Sequence, residues 1–95
     1  MSIRLLDVRS TNAGGVKQVH VDAKNQGESP VTITVDFTIH GKTFSSDPTD
    51  LDVEEEKTVS AVHTESGKSA VTATVRDTGE TSTARDLDLD KPHSP

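Results

Sequence analysis

From Val31 to His40 the chain alternates without a break. Val31, Ile33, Val35, Phe37 and Ile39 are apolar, and Thr32, Thr34, Asp36, Thr38 and His40 between them are polar. Successive side chains on a strand point to opposite faces, so this stretch predicts a half-buried β-strand with one dry and one wet face. Its β-branched Val, Ile and Thr suit a pleated surface better than a helix. The remaining segments read as shorter strands that cover this dry face.

Taken in order, residues 3–10 form a first strand in which Ile3 and Leu5 share one phase and Leu6 and Val8 the other. Such a shift signals a bulge or a change of sheet. Residues 11–15 turn on the Gly14–Gly15 pair, because glycine admits positive φ. Residues 16–25 predict a strand with Val19, Val21 and Ala23 inward. Residues 25–30 predict a compact turn in which Asn25 bonds its own backbone and Pro30 opens the next strand. Strands two and three are then expected to pair as a long hairpin. A short edge strand is expected at 42–45, a loop at 46–50, and a strand at 57–64 with Val59 and Ala61 inward. Further strands are expected at 69–77, with Val71, Ala73 and Val75 inward, and at 81–89, ending on Leu87 and Leu89.

Seven to eight antiparallel strands, with turn signals roughly every 8–12 residues and no helical period, predict an all-β chain folded as one immunoglobulin-like β-sandwich. The expected domain spans residues 1–90, and residues 91–95 are expected to be a flexible tail. The expected dry face is Val19, Val21, Ala23, Ile33, Val35, Phe37, Ile39, Val59, Ala61, Val71, Ala73, Val75, Leu87 and Leu89.

Composition sharpens this picture. Only 29% of the 95 residues are apolar, the only Phe residues are Phe37 and Phe44, and Trp, Tyr and Cys are absent. The core must therefore be built from small aliphatic side chains. A chain this size buries about 60–65% of its unfolded surface, which leaves little margin. The net charge of −6 repels phosphate backbones and argues against nucleic-acid binding. Ten aspartates and few lysines point to a protein adapted to high salt, where an acidic surface stays hydrated and its self-repulsion is screened. No apolar run is long enough for a signal peptide or for membrane insertion, so a virion-associated or cytoplasmic location is expected. Neither Asn12 nor Asn25 begins a glycosylation motif.

Between residues 19 and 76 the order of signals is distinctive. An Asn25-x-Gly27 turn precedes the long strand, which ends in Gly41-Lys42. An acidic turn then leads through Leu51-Asp52-Val53-Glu54-Glu55-Glu56-Lys57-Thr58-Val59 to a Gly67 turn and Ala70-Val71-Thr72-Ala73-Thr74-Val75. This resembles the CARDB-type immunoglobulin-like modules of archaeal and bacterial surface proteins. The chain departs from them in placing Glu54 or Glu55 where that family usually has a second glycine. The resemblance implies a spacer, adhesive or assembly role and brings no catalytic residues.

Two constellations bear on metal chemistry. Asp47, Asp50, Asp52 and Glu54, continued by Glu55 and Glu56, form the densest acidic run. Calcium takes six to eight oxygens, so a Ca2+ or glycan site here is one expectation, though the EF-hand spacing is missing. The alternative is a hydrated loop whose charge blocks edge pairing. Asp86, Asp88 and Asp90 read as a hydrated face, and His20, His40 and His63, on separate strands, read as exposed histidines rather than a zinc site. No nucleophile motif, phosphate loop or acid–base pair appears, so no enzyme is expected.

Loops carry contacts on rigid sandwiches, and the turn tips at Asn12, Gly14, Gly27, Glu28, Glu65 and Lys68 are the expected protein contacts. A self-contained sandwich without site chemistry predicts a structural subunit that forms a homo-oligomer or docks on a larger assembly, such as a virion or cell envelope. A ligand-binding module and a cytoplasmic protein-binding regulator are the alternatives.

Overall fold

The computed structural model describes residues 2–90. Nine strands follow one another: β1 (Ile3–Ala13), β2 (Val16–Asn25), β3 (Val31–Ile33), β4 (Val35–Ile39), β5 (Lys42–Ser45), β6 (Thr49–Leu51), β7 (Glu56–Val62), β8 (Lys68–Val75) and β9 (Arg85–Asp88). They form an all-β, immunoglobulin-like sandwich. One layer has the order β1-β2-β7 and the other β5-β4-β8-β9, with every pairing antiparallel. β1 lies across from β8 and β9, and β5 lies across from β7. The tail expected at 91–95 falls outside the described residues.

All fourteen residues expected on the dry face are buried, in one cluster with Ile3, Val8 and Leu51. Phe37 is fully covered and is the bulkiest of them. The phase shift in the first strand is a bulge: the register with β2 slips between Leu6 and Arg9, and Asp7 takes φ 61°. Leu5 thereby stays against the core and Leu6 turns outward.

Two expectations are corrected. The long strand at 31–40 is two strands, and the loop expected at 46–50 runs into a further short strand, β6, which together bring the count to nine. Its alternation continues through the break, since Ile33, Val35, Phe37 and Ile39 are all buried. What changes at Thr34 is the partner. β3 pairs with β6 and β4 with β5, in registers that place two residues (34 and 35) opposite three (46 to 48). The extra residue is absorbed where the buried Ser46 Oγ accepts the Val35 N–H at 2.9 Å and the Ser46 N–H donates to the Val35 carbonyl at 2.8 Å. The expected hairpin of the second strand with residues 31–40 does not form either. β2 pairs with β1 and β7, while β4 pairs with β5 and β8. Both are central strands with one dry face, and the core is closed by setting those faces opposite one another across layers rather than side by side.

Asn25 organises that crossing. Its side chain is fully buried; Nδ2 donates to the carbonyls of Ser29 (2.9 Å) and Leu51 (3.2 Å), and Oδ1 accepts the Gly27 N–H (2.9 Å). Its backbone exchanges bonds with Glu54 and Glu55. One residue thus ties the turn between layers to the turn that opens β7.

Candidate functional site

The acidic run extends from the loop before β6 to the start of β7, and the carboxylates of Asp50, Asp52, Glu54 and Glu55 are occupied locally. Asp50 accepts the Thr32 hydroxyl at 2.6 Å, and its carbonyl accepts Lys57 Nζ at 2.7 Å. Asp52 accepts the Val53 N–H, and Glu55 accepts the Asp52 N–H, both at 2.9 Å. Glu54 lies 3.7 Å from Lys24. Asp47 is exposed at the loop tip. An open groove beside the run is lined by Val31, Thr32, Asp50, Asp52, Glu55 and Lys57 among others. Among the described residues no group of three or more His, Asp or Glu is placed to hold a metal ion.

The histidines occupy three different settings. His20, on the outer face of β2, bridges the sheet: Nδ1 meets Ser60 Oγ at 2.6 Å on one side and Nε2 meets Thr11 Oγ1 at 2.8 Å on the other. Burial and the neighbouring Arg9 guanidinium hold its pKa below the usual imidazole value. His40 forms a turn with φ 51° and binds the Lys68 carbonyl and the Glu65 carboxylate, each at 3.1 Å, which raise its pKa. The third is a correction: His63 is not exposed but buried. Its ring packs edge-on to Phe44 at 5.9 Å, Nδ1 accepts the Glu65 N–H, and Nε2 has no partner among the described residues. Burial, with Lys17 nearby, lowers its pKa. It continues the inward phase of Val59 and Ala61, a signal already present in the sequence.

The expected contact loops divide between the two ends of the sandwich. Asn12, Gly14, Glu65 and Lys68 lie at one end, tied together through Asp90 and Lys17: Asn12 Nδ2 donates to the Asp90 carbonyl, and Lys17 Nζ donates to the Glu65 carbonyl, Ser66 Oγ and Asp90 Oδ1. Gly14 and Lys68 are exposed there, whereas the Glu65 side chain is only 10% exposed, held by His40 and Lys42. Gly27 and Glu28 lie at the other end, beside Ser2.

The sequence predicts the strand at 57–64 but not its place as the edge strand β7 of the three-stranded sheet. His63 N–H donates to the Lys17 carbonyl and Asn25 N–H donates to the Glu55 carbonyl, one at each end of its ladder with β2. Antiparallel ladders alternate, so odd-numbered residues of β7 turn their N–H and C=O groups toward β2. Glu56, Thr58, Ser60 and Val62 turn theirs away, at an edge where no further strand of the sheet follows. The side chains of these four lie on the outer face, and Val62 is 61% exposed. Val16, its diagonal neighbour on β2, is 53% exposed and pairs with the exposed Ala13.

Comparison with protein-family models, with curated proteins and with solved structures finds no match to this chain.

Proposed function

We propose that the chain is a non-enzymatic structural and interaction module, a subunit that decorates or links a larger assembly such as a virus particle or a cell envelope in high salt. The observation that carries this reading is the apolar patch of Ala13, Val16 and Val62 on the outer face of the β1-β2-β7 sheet. Exposed apolar groups gathered beside a sheet edge, on a molecule whose other outward side chains are mainly charged or hydroxylic, favour contact with a second surface. The resemblance to modules of surface proteins points the same way.

Salt decides when such contacts form. At low ionic strength molecules of net charge −6 repel, whereas near 1 M salt the screening length falls to about 3 Å. The test is light scattering of the purified chain from dilute buffer to several-molar salt, with circular dichroism on the same samples. A folded oligomer that grows with salt is expected. A folded monomer at every salt would overturn the reading.

A further inference from the structure

We infer that the free edge of β7 receives one extended segment of another protein, added antiparallel to the strand and ending in a Lys or Arg. The inference rests on the reading of the chain as an assembly subunit and names the chemistry of its partner.

The sheet edges differ in how they are guarded. Unpaired strands invite pairing, and proteins block them with bulges, charges, prolines or short length. β1, at the far edge of the same sheet, is blocked three times over residues 3–8, which leaves a regular stretch of only residues 9–13. The Glu80 carboxylate accepts its Ile3 N–H at 2.9 and 3.0 Å, the bulge at Asp7 breaks its line, and Arg85 Nη1 donates to its Val8 carbonyl at 2.9 Å. β5 and β9, at the edges of the other sheet, are four residues each. β7 has seven residues, a regular register, no proline and no bulge. Its one lysine, Lys57, is bound to the Asp50 carbonyl. The outward N–H and C=O groups of Thr58, Ser60 and Val62 stand in a row.

The side chains beside that row specify the occupant. Along the outer face of β7 they run Glu56, Thr58, Ser60, Val62, from charged through hydroxylic to apolar. The Glu56 carboxylate has no ion pair among the described residues, whereas Glu54 lies 3.7 Å from Lys24 and Glu55 3.8 Å from Lys57, so Glu56 is the carboxylate left for a partner. An added antiparallel strand places its C-terminal end beside Glu56. Cross-strand neighbours of opposite charge attract and like charges repel, so the segment carries an apolar residue opposite Val62, hydroxylic residues opposite Ser60 and Thr58, and a basic residue opposite Glu56. A second copy of the chain fits poorly. Pairing β7 with β7 brings the Glu54–Glu56 end of each strand to the other's Thr64 and Glu65, and joins two molecules of net charge −6.

The test uses the whole chain and the synthetic peptide acetyl-Val-Ser-Thr-Val-Thr-Ser-Lys-amide, followed by amide chemical shifts and hydrogen exchange in low salt. Binding is expected to protect the amides of Thr58, Ser60 and Val62. Replacing the terminal Lys by Glu is expected to weaken it at least about threefold. Val62→Pro removes an outward N–H and no bond to β2, so the fold is kept, and binding is expected to drop about tenfold or more. Val62→Thr keeps that N–H and is expected to stay within about threefold. No binding up to about 1 mM peptide, protection at β1 or β5 instead, or equal affinity for the Lys and Glu peptides would overturn the inference. So would a dimer of the chain alone that Val62→Pro dissolves. Salt-driven assembly that survives Val62→Pro with no peptide binding would remove this edge and leave the assembly reading standing.

Discussion

The buried imidazole of His63 accepts the backbone N–H of Glu65 at 3.1 Å through Nδ1, and the Glu65 carboxylate reaches the ring of His40, also at 3.1 Å. Two histidines of opposite tendency therefore hold one residue. A proton on His63 Nδ1 would face the Glu65 N–H donor to donor and break that bond. A proton on His40 strengthens its hold on the carboxylate.

This arrangement predicts a stability maximum near the ordinary imidazole pKa of 6.5. His63 and His20 are lowered, so the unfolded state takes their protons first; their contribution is complete above 6.5 and is lost as pH falls from there toward their folded values. His40 is raised, so its contribution is complete below 6.5 and is lost as pH rises through its folded value. The urea midpoint measured from pH 5 to 8 should peak between these limbs. His40→Gln should abolish the alkaline decline and leave the acid limb in place; a decline that persists in that variant would refute the assignment.

Asn25→Ala should be among the costliest single changes. It strands the carbonyls of Ser29 and Leu51 and the Gly27 N–H at a buried site. The expected loss is about 3 kcal/mol in urea unfolding. Gln26→Ala beside it, exposed, should change stability by no more than about 0.5 kcal/mol.

Phe37 bears on the thinness of the core. It is the one fully buried aromatic side chain, and Phe37→Ala should cost about 3–5 kcal/mol. In a domain this small that is expected to leave much of the chain unfolded in dilute buffer at 25 °C. Circular dichroism with added salt should show partial recovery as the −6 charge is screened.

Calcium should leave the melting temperature unchanged. Asp50, Asp52 and Glu55 already accept a hydroxyl or backbone N–H, and Glu54 turns toward Lys24. A specific site would raise the melting temperature as ligand accumulates by mass action. A saturable rise with millimolar Ca2+ that magnesium does not reproduce would show that these groups rearrange around an ion.

The Arg76–Asp36 pair offers a check on the salt dependence. Arg76 Nη2 and Nε meet the two Asp36 oxygens at 2.8 and 3.2 Å, and Ser45 Oγ donates to Asp36 at 2.7 Å. This lowers the Asp36 pKa. Arg76→Gln should lower the melting temperature slightly in dilute buffer and by less in molar salt, as read from thermal unfolding.

Faces were legible in the sequence, partners were not. Alternation places Ile33, Val35, Phe37 and Ile39 correctly even through the break at Thr34, because side-chain direction has a local period of two. The break itself depends on residues 46–48, whose extra length shows only once registers are known. The bulge at Asp7 was legible because it moved an apolar phase, from Leu5 to Val8. His63 was misread because its chemistry outweighed its place in the phase of Val59 and Ala61. The contact loops at Gly27 and Lys68 look equivalent in the sequence, and only the crossing between layers sends them to opposite ends. The free edge of β7 is a property of strand order, which no run of residues states.

The unequal edges of the three-stranded sheet have a consequence for stoichiometry. With Glu80, Asp7 and Arg85 closing β1 over residues 3–8 and β7 left open, a long strand meets an unbroken edge of this sheet on one side only. Such a subunit ends a row and cannot extend one. Joined edge to edge, it takes a single guest strand and then stops, which makes it a terminator of β-pairing rather than a link in a fibre.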